Sequence, residues 1–459
     1  MFFGLIFYTL VLGIAFLNFY FRSRDVIGNF FLFLGASISF VLVFPSILYY
    51  LVTGSTEFFK FYSLDDIRLG LYAILVFLTF WFLGFLFSKK IKWKTSNTYH
   101  YSEEYVTLII FVLSLVSTVI FYSFSYAYGF ANELYMNNPT QAGLFGVMGG
   151  YRSLLEPVIA ALLIFYYRRK KNNRLKGFYD LKYFPHTLWV VLITNIFAGI
   201  ILDMQRGDIF KPVLLVIFVL LFKGTRKRKI MQYAVGVFVL IITLSPVIDF
   251  LRKPNLYKNN FSIQNLPEIL SSQEARRYFG QNVGNENIFD LNIESLIKEP
   301  ARKNAFLLTT VSLMNHADRE GHVLFSTYPS IFYEPIPRIV YPNKPIPLSV
   351  DGTKETTSIR IAAREAGWSN VWWGSGAGSM YWQFNWPGVM LGGFIVGFLW
   401  YLLVFKAFNT KHILLTILIF NIIKWGLPLF RGLDNLLLEL IRGVKLLGVY
   451  YIISIFIKK

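Results

Sequence analysis

Residues 105–128 read YVTLIIFVLSLVSTVIFYSFSYAY and hold no Asp, Glu, Lys, Arg or His. Coiled as an α-helix, a run of this length extends about 36 Å, which exceeds the ~30 Å thickness of the hydrocarbon core of a bilayer. In hydrocarbon, the backbone N–H and C=O groups must bond within the segment, and a helix achieves this. The stretch therefore predicts a transmembrane α-helix.

The rest of the chain has the same apolar character. Of its 459 residues, 55% are hydrophobic and 15% are charged, and the mean hydropathy is +0.50, whereas soluble proteins carry roughly 25% charged residues. The sequence lacks the alternating strands of about ten residues that mark a membrane β-barrel. We therefore predict an all-α, polytopic membrane protein. Its eleven predicted spans are 2–21, 27–52, 68–88, 105–128, 153–167, 184–203, 209–222, 230–250, 386–405, 412–427 and 436–457.

Positive charge is distributed unevenly between the segments that join these spans. With the N-terminus outside, the predicted cytoplasmic segments hold 22 Lys and Arg residues and the short outer segments hold 6. Because an excess of Lys and Arg in cytoplasmic loops sets the orientation of membrane proteins, we predict an outer N-terminus and a cytoplasmic C-terminus. The net charge of +19 is then mostly a topology signal rather than a nucleic-acid-binding surface, and no nucleic acid partner is expected.

One predicted loop is much longer than the others. The prediction divides the chain into helices 1–8 over residues 1–250, a large extracytoplasmic loop over 251–385 and helices 9–11 over 386–459. Loops of this length are usually functional or disordered, and the aromatic residues of its later part argue against disorder. Its tryptophans could form an interfacial belt or a face on which sugar rings stack. With no cysteine in the chain, disulfides cannot stabilise the loop.

No metal or cofactor site is predicted. The five histidines are scattered, and the outer acidic residues form no D-x-D pair within a motif, whereas hard metal ions need several converging oxygens. The adjacent Asp65 and Asp66 follow Ser63 at a predicted helix start, where an N-capping role is favoured. The glycine-rich run 374–378 opens no nucleotide-binding unit and is predicted to be a flexible turn.

Cationic residues at the predicted outer side are the remaining candidates for chemistry. Arg206 lies in a short loop between two spans, and Arg431 lies in another. Arg338 and Lys344 lie late in the long loop. Each could be a solvated loop charge or an anchor for lipid headgroups. Together they suit a pyrophosphate, which guanidinium groups bind bidentately and neutralise without a metal.

Three local motifs resemble those of a known family. Residues 337–345 read PRIVYPNKP, which is similar to a P-R-x-x-W-P-x-K-P pattern late in the long loop of that family. Residues 381–384 read YWQF and, with the spaced glycines after them, resemble the family's entry into the next helix. Residues 431–434 read RGLD and resemble a short arginine loop before the last helix. The spaced glycines are Gly388, Gly392 and Gly397. With eleven spans and one long outer loop, the chain resembles the O-antigen polymerase family.

Two positions depart from the pattern of that family. Ser379 stands where many members carry a glutamate, so a general base cannot be transferred from that position. Asn385 stands where the family has a glycine after the phenylalanine. The resemblance covers the topology of the whole chain, but in detail only the three motifs.

The resemblance implies a GT-C-like fold and a metal-independent glycosyltransferase. Such an enzyme would polymerise oligosaccharide repeat units linked to undecaprenyl pyrophosphate into a surface polysaccharide, on the outer face of the bacterial cytoplasmic membrane. The implied partners are the lipid-linked glycan donor and acceptor, membrane lipids, a chain-length regulator and a flippase. Cations would stabilise the charge that develops on the pyrophosphate, and a carboxylate or histidine would deprotonate the acceptor hydroxyl.

The candidate residues follow from these two roles. The candidate general bases are Glu334, His316, His322 and Asp434. The candidate ligands of the pyrophosphate and glycan are Arg206, Arg302, Arg338, Lys344, Tyr381 and Arg431. The alternatives are a lipid-linked oligosaccharide flippase, an O-antigen ligase-like transferase and a non-enzymatic member of an assembly complex. Charges clustered at the outer side, rather than along the whole membrane depth, count against the flippase.

Overall fold

The computed structural model describes residues 2–22, 28, 63–91, 102–128, 139–171, 177–199, 206–236, 305–324 and 375–425, with isolated positions between 437 and 455. This described part of the chain is helical and contains no β-strand. Its helices are α1 (Phe2–Arg22), α2 (Leu64–Lys90), α3 (Ser102–Tyr128), α4 (Pro139–Lys171), α5 (Phe184–Ala198), α6 (Arg206–Lys223), α7 (Ala305–Glu320), α8 (Gly376–Asn409) and α9 (Ile413–Trp425). A 3-10 turn occupies Gly177–Asp180, and residues 227–236 are also helical.

Three helices of the described part are long and apolar enough to cross a membrane. They are Asp65–Lys90 in α2, Glu103–Ser123 in α3, and the whole of α8. The helices α5 and α9 and most of α6 are apolar but shorter. The prediction of an all-α protein embedded in a membrane is confirmed at this level. The count of eleven spans, the GT-C-like fold and the orientation of the termini stay predictions.

The chain forms two compact units, and each is built from separate stretches of sequence. The first unit contains α1, α2, α7 and α8, and the second contains α3 to α6 with nearly all of α9. The predicted division into 1–250, 251–385 and 386–459 follows membrane topology rather than packing, and it stays a prediction.

In the first unit, α2 and α8 pack along each other through glycines. A Cβ atom added at Gly393 would lie 2.6 Å from the carbonyl oxygen of Phe77, and one added at Gly397 would overlap the carbonyl oxygen of Trp81. Small residues allow the backbones of membrane helices to approach this closely. Because the later glycine meets the later partner, the two helices run in the same direction.

The helix α7 packs against the beginnings of both α2 and α8. Val311 lies against Gly70 of α2, and Thr310 lies against Gly378 of α8. The hydroxyl groups of Thr310 and Ser375 are 2.5 Å apart and hydrogen-bonded. This packing brings the end of α7 to the first turns of α8.

Two of the described helices, α4 and α8, begin about ten residues or more before their predicted starts. The helix α8 begins at Gly376 rather than at 386, so part of the predicted flexible turn 374–378 is helical. Ser375 caps the helix by accepting a hydrogen bond from the N–H of Gly378 at 2.9 Å, and contact with α7 holds this first turn. The helix α4 begins at Pro139 rather than at 153.

The predicted capping role at the start of α2 is confirmed in a specific form. Ser63 is the N-cap, and its side chain accepts from the N–H of Asp66 at 3.1 Å. The Asp66 carboxylate accepts from the N–H of Ser63 at 3.1 Å, which completes a capping box. Asp65 instead pairs with Arg68 at 3.4 Å on the surface.

In the second unit, buried charges join the ends of three helices. Glu103, in the first turn of α3, bonds the side chain of His412 at 2.8 Å and the N–H of Leu414 at 3.4 Å, at the start of α9. Its neighbour Glu104 pairs with Arg169 in the last turn of α4. The helices α3 and α9 therefore begin where α4 ends, and α4 runs opposite to both. The predicted order of spans requires these directions, because the spans at 105–128 and 412–427 cross the membrane one way and the span at 153–167 crosses it the other way.

Candidate functional site

The helix α8 is broken at Phe384 and Asn385, whose backbone angles are not helical. Pro387 explains the break, because proline has no N–H to donate to the carbonyl of Gln383 and its ring clashes with that carbonyl. The remaining helix, residues 386–409, extends about 36 Å and is long enough to cross the hydrocarbon core. The break therefore lies toward one end of the span rather than at its middle.

Carbonyl groups freed by the break are bonded by the segment that follows α7. The carbonyl oxygen of Tyr381 accepts a hydrogen bond from Nδ1 of His322 at 3.0 Å. The carbonyl oxygen of Trp382 accepts from the N–H of Val323 at 3.1 Å. Because an unbonded carbonyl in apolar surroundings is costly, the segment after α7 and the break in α8 stabilise each other.

Asn385 has a φ of 59° and a ψ of −153°, a region that is nearly restricted to glycine. Its side-chain amide is held on both sides. Oδ1 accepts the N–H of Trp386 at 2.7 Å, and Nδ2 faces Nε2 of His322 at 3.2 Å. Holding a residue with a side chain in such a conformation costs about 1–3 kcal/mol. The glycine of the family pattern thus falls on a position whose backbone conformation favours glycine.

The hydrogen bonds of His322 define its tautomer. The carbonyl of Tyr381 can only accept, so Nδ1 carries a proton and donates it. Because Oδ1 of Asn385 is taken by a backbone N–H, the amide presents Nδ2 to the ring, and Nε2 accepts. His322 is therefore neutral, half-buried, and has its lone pair on Nε2.

Tyr381 connects the remaining members of the site. Its hydroxyl donates to Oδ1 of Asp318 at 2.9 Å, across 63 positions of sequence. Its buried ring packs edge-to-face against the rings of His322 and Trp386, with centroids 5.6 and 5.7 Å apart. We name this group the helix-break cluster, and its members are Asp318, His322, Tyr381, Asn385 and Trp386.

The structure brings together two of the residues predicted from sequence, Tyr381 and the candidate base His322. His316 lies on α7, two residues before Asp318, and is half-buried. Arg206 begins α6, but its side chain lies outside the described part of the chain. Convergence of the predicted cations therefore stays a prediction. The other predicted site residues also lie outside the described residues, and they are Arg302, Glu334, Arg338, Lys344, Arg431 and Asp434.

Sequence reasoning missed Asp318 and treated Asn385 only as a departure from the family pattern. The signal for Asn385 was available, since Pro387 follows two residues later in an apolar run and predicts a helix break. Asp318 carries no local signal. Its link to Tyr381 exists only because α7 packs on α8.

The second unit has a separate buried polar group around Glu156 of α4. Its Oε2 accepts from Nζ of Lys424 at 2.5 Å, and its Oε1 accepts from Nδ2 of Asn195 at 2.7 Å. Lys424 also donates to the carbonyl of Ser153 at 3.1 Å. The residue four positions later, Pro157, has no N–H to donate to that carbonyl. The group is therefore explained as a joint between α4, α5 and α9.

The helix-break cluster is the candidate functional site. It places a neutral imidazole, a carboxylate, a phenol, an amide and an indole near one end of an apolar helix. Within the described ranges, groups of three or more His, Asp or Glu side chains that could hold a metal ion do not occur. A comparison of the chain with protein-family models, curated proteins and solved structures finds no match in any of the three.

Proposed function

We propose that this protein is a membrane glycosyltransferase that polymerises oligosaccharide repeat units carried on undecaprenyl pyrophosphate. It acts on the outer face of the bacterial cytoplasmic membrane. The growing glycan moves from its lipid pyrophosphate to a hydroxyl group of a single lipid-linked repeat unit. Support comes from the three sequence motifs together with the helix-break cluster.

The observation that carries the proposal is the neutral imidazole of His322 at a break in an apolar helix. Residues 386–409 suffice to cross the hydrocarbon core, so the polar groups of the cluster lie beyond one end of a membrane span. In the predicted orientation α8 begins outside, so the break lies at the outer membrane boundary. The pyrophosphate of a lipid-linked glycan lies at the same boundary.

In the proposed step, Nε2 of His322 takes the proton of the acceptor hydroxyl. The acceptor oxygen bonds the anomeric carbon of the donor sugar, and the bond from that carbon to the pyrophosphate oxygen breaks with its electron pair. The proton then passes to water. A positioned general base contributes roughly 10²–10⁴-fold. The bond from Nδ1 to Tyr381 keeps the lone pair on Nε2, where the acceptor hydroxyl replaces the amide of Asn385.

Cations stabilise the charge that develops on the leaving pyrophosphate. The proposal assigns this role to Arg206, Arg338 and Arg431, with Lys344 and Arg302 as further ligands. Guanidinium groups bind phosphate oxygens in pairs, and such electrostatic stabilisation is usually the largest catalytic contribution.

The native host provides the test. Deleting the gene should leave single repeat units where the wild type makes a ladder of chain lengths. Arg206→Ala, Arg338→Ala and Arg431→Ala should each fail to restore the ladder while the protein accumulates normally in the membrane. Arg→Lys variants should recover little, because a point charge loses the bidentate geometry. The matched control is Arg68→Ala, at a surface pair with Asp65, and it should restore the ladder.

Each alternative has a distinct outcome. Long polysaccharide chains in all three arginine variants would contradict the role of these arginines at the pyrophosphate. A normal ladder in the deletion strain would contradict the assignment as a polymerase. Lipid-linked units trapped on the cytoplasmic face would indicate a flippase.

The base assignment is tested with a pair of histidines. His322→Gln should lower kcat by about 10²-fold or more, whereas His316→Gln should leave it within a few-fold of the wild type. The rates are measured on purified protein with lipid-linked repeat units. The reverse order would transfer the role of base to His316.

A further inference from the structure

Asp318 is the exposed end of the helix-break cluster, and a buried partner orients its carboxylate. The hydroxyl of Tyr381 donates to Oδ1 at 2.9 Å. Within the described part of the chain, the carboxylate of Asp318 makes this one hydrogen bond. A carboxylate has about four acceptor positions, so most of its capacity remains for a ligand.

An indole ring also packs against Tyr381. Trp386 is half-buried, and its ring stands at 89° to that of Tyr381. Pro387, next along the chain, is exposed. Tyr381 therefore contacts a carboxylate through its hydroxyl and an indole through its ring, and the ring of His322 packs edge-to-face against the same tyrosine. Pre-ordered groups of this kind lose little entropy when a ligand binds.

We propose that Asp318, Tyr381 and Trp386 form a subsite for one sugar ring, the terminal ring of the acceptor glycan. This inference rests on the proposed function and identifies which part of the substrate the cluster binds. Ring hydroxyls donate to the carboxylate of Asp318, and the apolar C–H face of the ring packs on the indole of Trp386. One hydroxyl of the same ring then faces His322 and gives up its proton there.

A quaternary ammonium group, as in a choline headgroup, fits the cluster less well. Recognition of such a cation uses the faces of several aromatic rings around one charge. Here the edge-to-face contact of Tyr381 and Trp386 turns one ring edge toward the other ring's face. Of the cluster's members, Asp318 alone offers an ammonium a negative charge, whereas the imidazole of His322 and the amide of Asn385 exchange hydrogen bonds with hydroxyls.

Binding is measured on the full-length protein in nanodiscs. The probe is the single repeat unit released from its lipid by mild acid, prepared from the host that lacks this gene, with choline chloride as the comparison ligand. Asp318→Ala and Trp386→Leu should each weaken glycan binding by about tenfold or more in calorimetric titration, since they remove charge-assisted hydrogen bonds or the stacking face. Tyr381→Phe, which only frees the carboxylate, should weaken it by about threefold. Glu320→Gln, an exposed carboxyl at the end of the same helix, is the matched control and should bind as the wild type does.

Kinetics separate binding from base catalysis. Asp318→Asn keeps the shape and part of the hydrogen bonding, so it should raise KM for the acceptor several-fold and leave kcat nearly unchanged. His322→Gln should lower kcat instead. A loss of kcat in Asp318→Asn would make Asp318 a base and overturn the subsite.

The binding and ladder experiments fail independently. The subsite would be overturned if Asp318→Ala and Trp386→Leu left glycan binding unchanged. It would also be overturned if these variants abolished choline binding. Both conclusions hold even if the deletion strain loses its ladder. If glycan binding instead depends on these residues while the ladder of chain lengths survives deletion of the gene, that result would support the subsite and contradict the assignment as a polymerase.

Discussion

The ammonium group of Lys424 donates to the backbone carbonyl of Ser153 at 3.1 Å. The usual helical hydrogen bond to this carbonyl cannot form, because Pro157 has no N–H. The charge of Lys424 is balanced by Glu156, whose carboxylate oxygen lies 2.5 Å from Nζ. A single lysine thus completes the hydrogen bonding of a proline-containing helix and joins α4 to α9.

This joint predicts non-additive mutations. Lys424→Met should destabilise the protein by about 3–5 kcal/mol, because it leaves the buried carboxylate of Glu156 unpaired. The double variant Glu156→Gln with Lys424→Met should recover much of that loss, since no buried charge remains. Thermal unfolding in detergent measures both, with Lys90→Met at an exposed helix end as control. If the stability losses of the two single variants simply added in the double variant, the pairing of Glu156 with Lys424 would be contradicted.

The backbone at Asn385 predicts an unusual order of stability. Asn385→Gly relieves a positive φ that Asn385→Ala retains, so the glycine variant should be more stable than the alanine variant by about 1–3 kcal/mol. At Asn409, a helical residue of the same α8, the order should reverse, because glycine is the poorer helix former. Denaturation of the purified variants decides this. Equal stability of Asn385→Ala and Asn385→Gly would mean that the backbone at this position is not strained.

The packing of α2 on α8 predicts intolerance of a single methyl group. In Gly397→Ala the new Cβ meets the carbonyl of Trp81, and overpacking of this kind costs about 1–3 kcal/mol. Gly236→Ala is the control, because no atom of the described residues lies within 4 Å of a Cβ added there. Membrane accumulation and melting temperature should fall for the first variant and hold for the second. Normal stability of Gly397→Ala would contradict the close approach of the two helices.

The charge distribution predicts the orientation of the chain. An impermeant thiol reagent should label Ser272→Cys in spheroplasts and miss Asn173→Cys, because the first lies in the predicted outer loop and the second in a predicted cytoplasmic segment. The chain has no cysteine of its own, so background labelling is absent. Labelling at residue 173 alone would invert the topology.

Catalysis is expected to proceed without a divalent metal, because guanidinium groups take the place of a cation at the pyrophosphate. Purified protein given lipid-linked repeat units should form polymer equally well in excess EDTA. The arginine variants serve as the inactive reference in the same assay. Loss of activity on chelation, restored by magnesium or manganese, would identify a metal as the electrophilic partner.

Helices whose character is local could be predicted from the sequence. The span predicted at 105–128 is found within α3, and the one predicted at 2–21 matches α1. In hydrocarbon, a run without charge that is long enough to cross a bilayer is most stable as a helix, because its backbone groups must bond within the segment. The starts of α4 and α8 were predicted less well. At α8 the first turn is helical through its cap and its contact with α7 rather than through hydropathy.

The sequence by itself determined that the chain is helical and belongs in a membrane, since both follow from the length and charge of single segments. It also supplied Tyr381 and His322 as candidates. Only the tertiary structure decided that Tyr381 bonds Asp318 and that Asn385 bonds His322, because each pair is 63 positions apart and meets only when α7 packs on α8. The same packing supplies donors for the carbonyls that the break in α8 leaves open, and for that reason a polar site can exist at the end of an apolar helix.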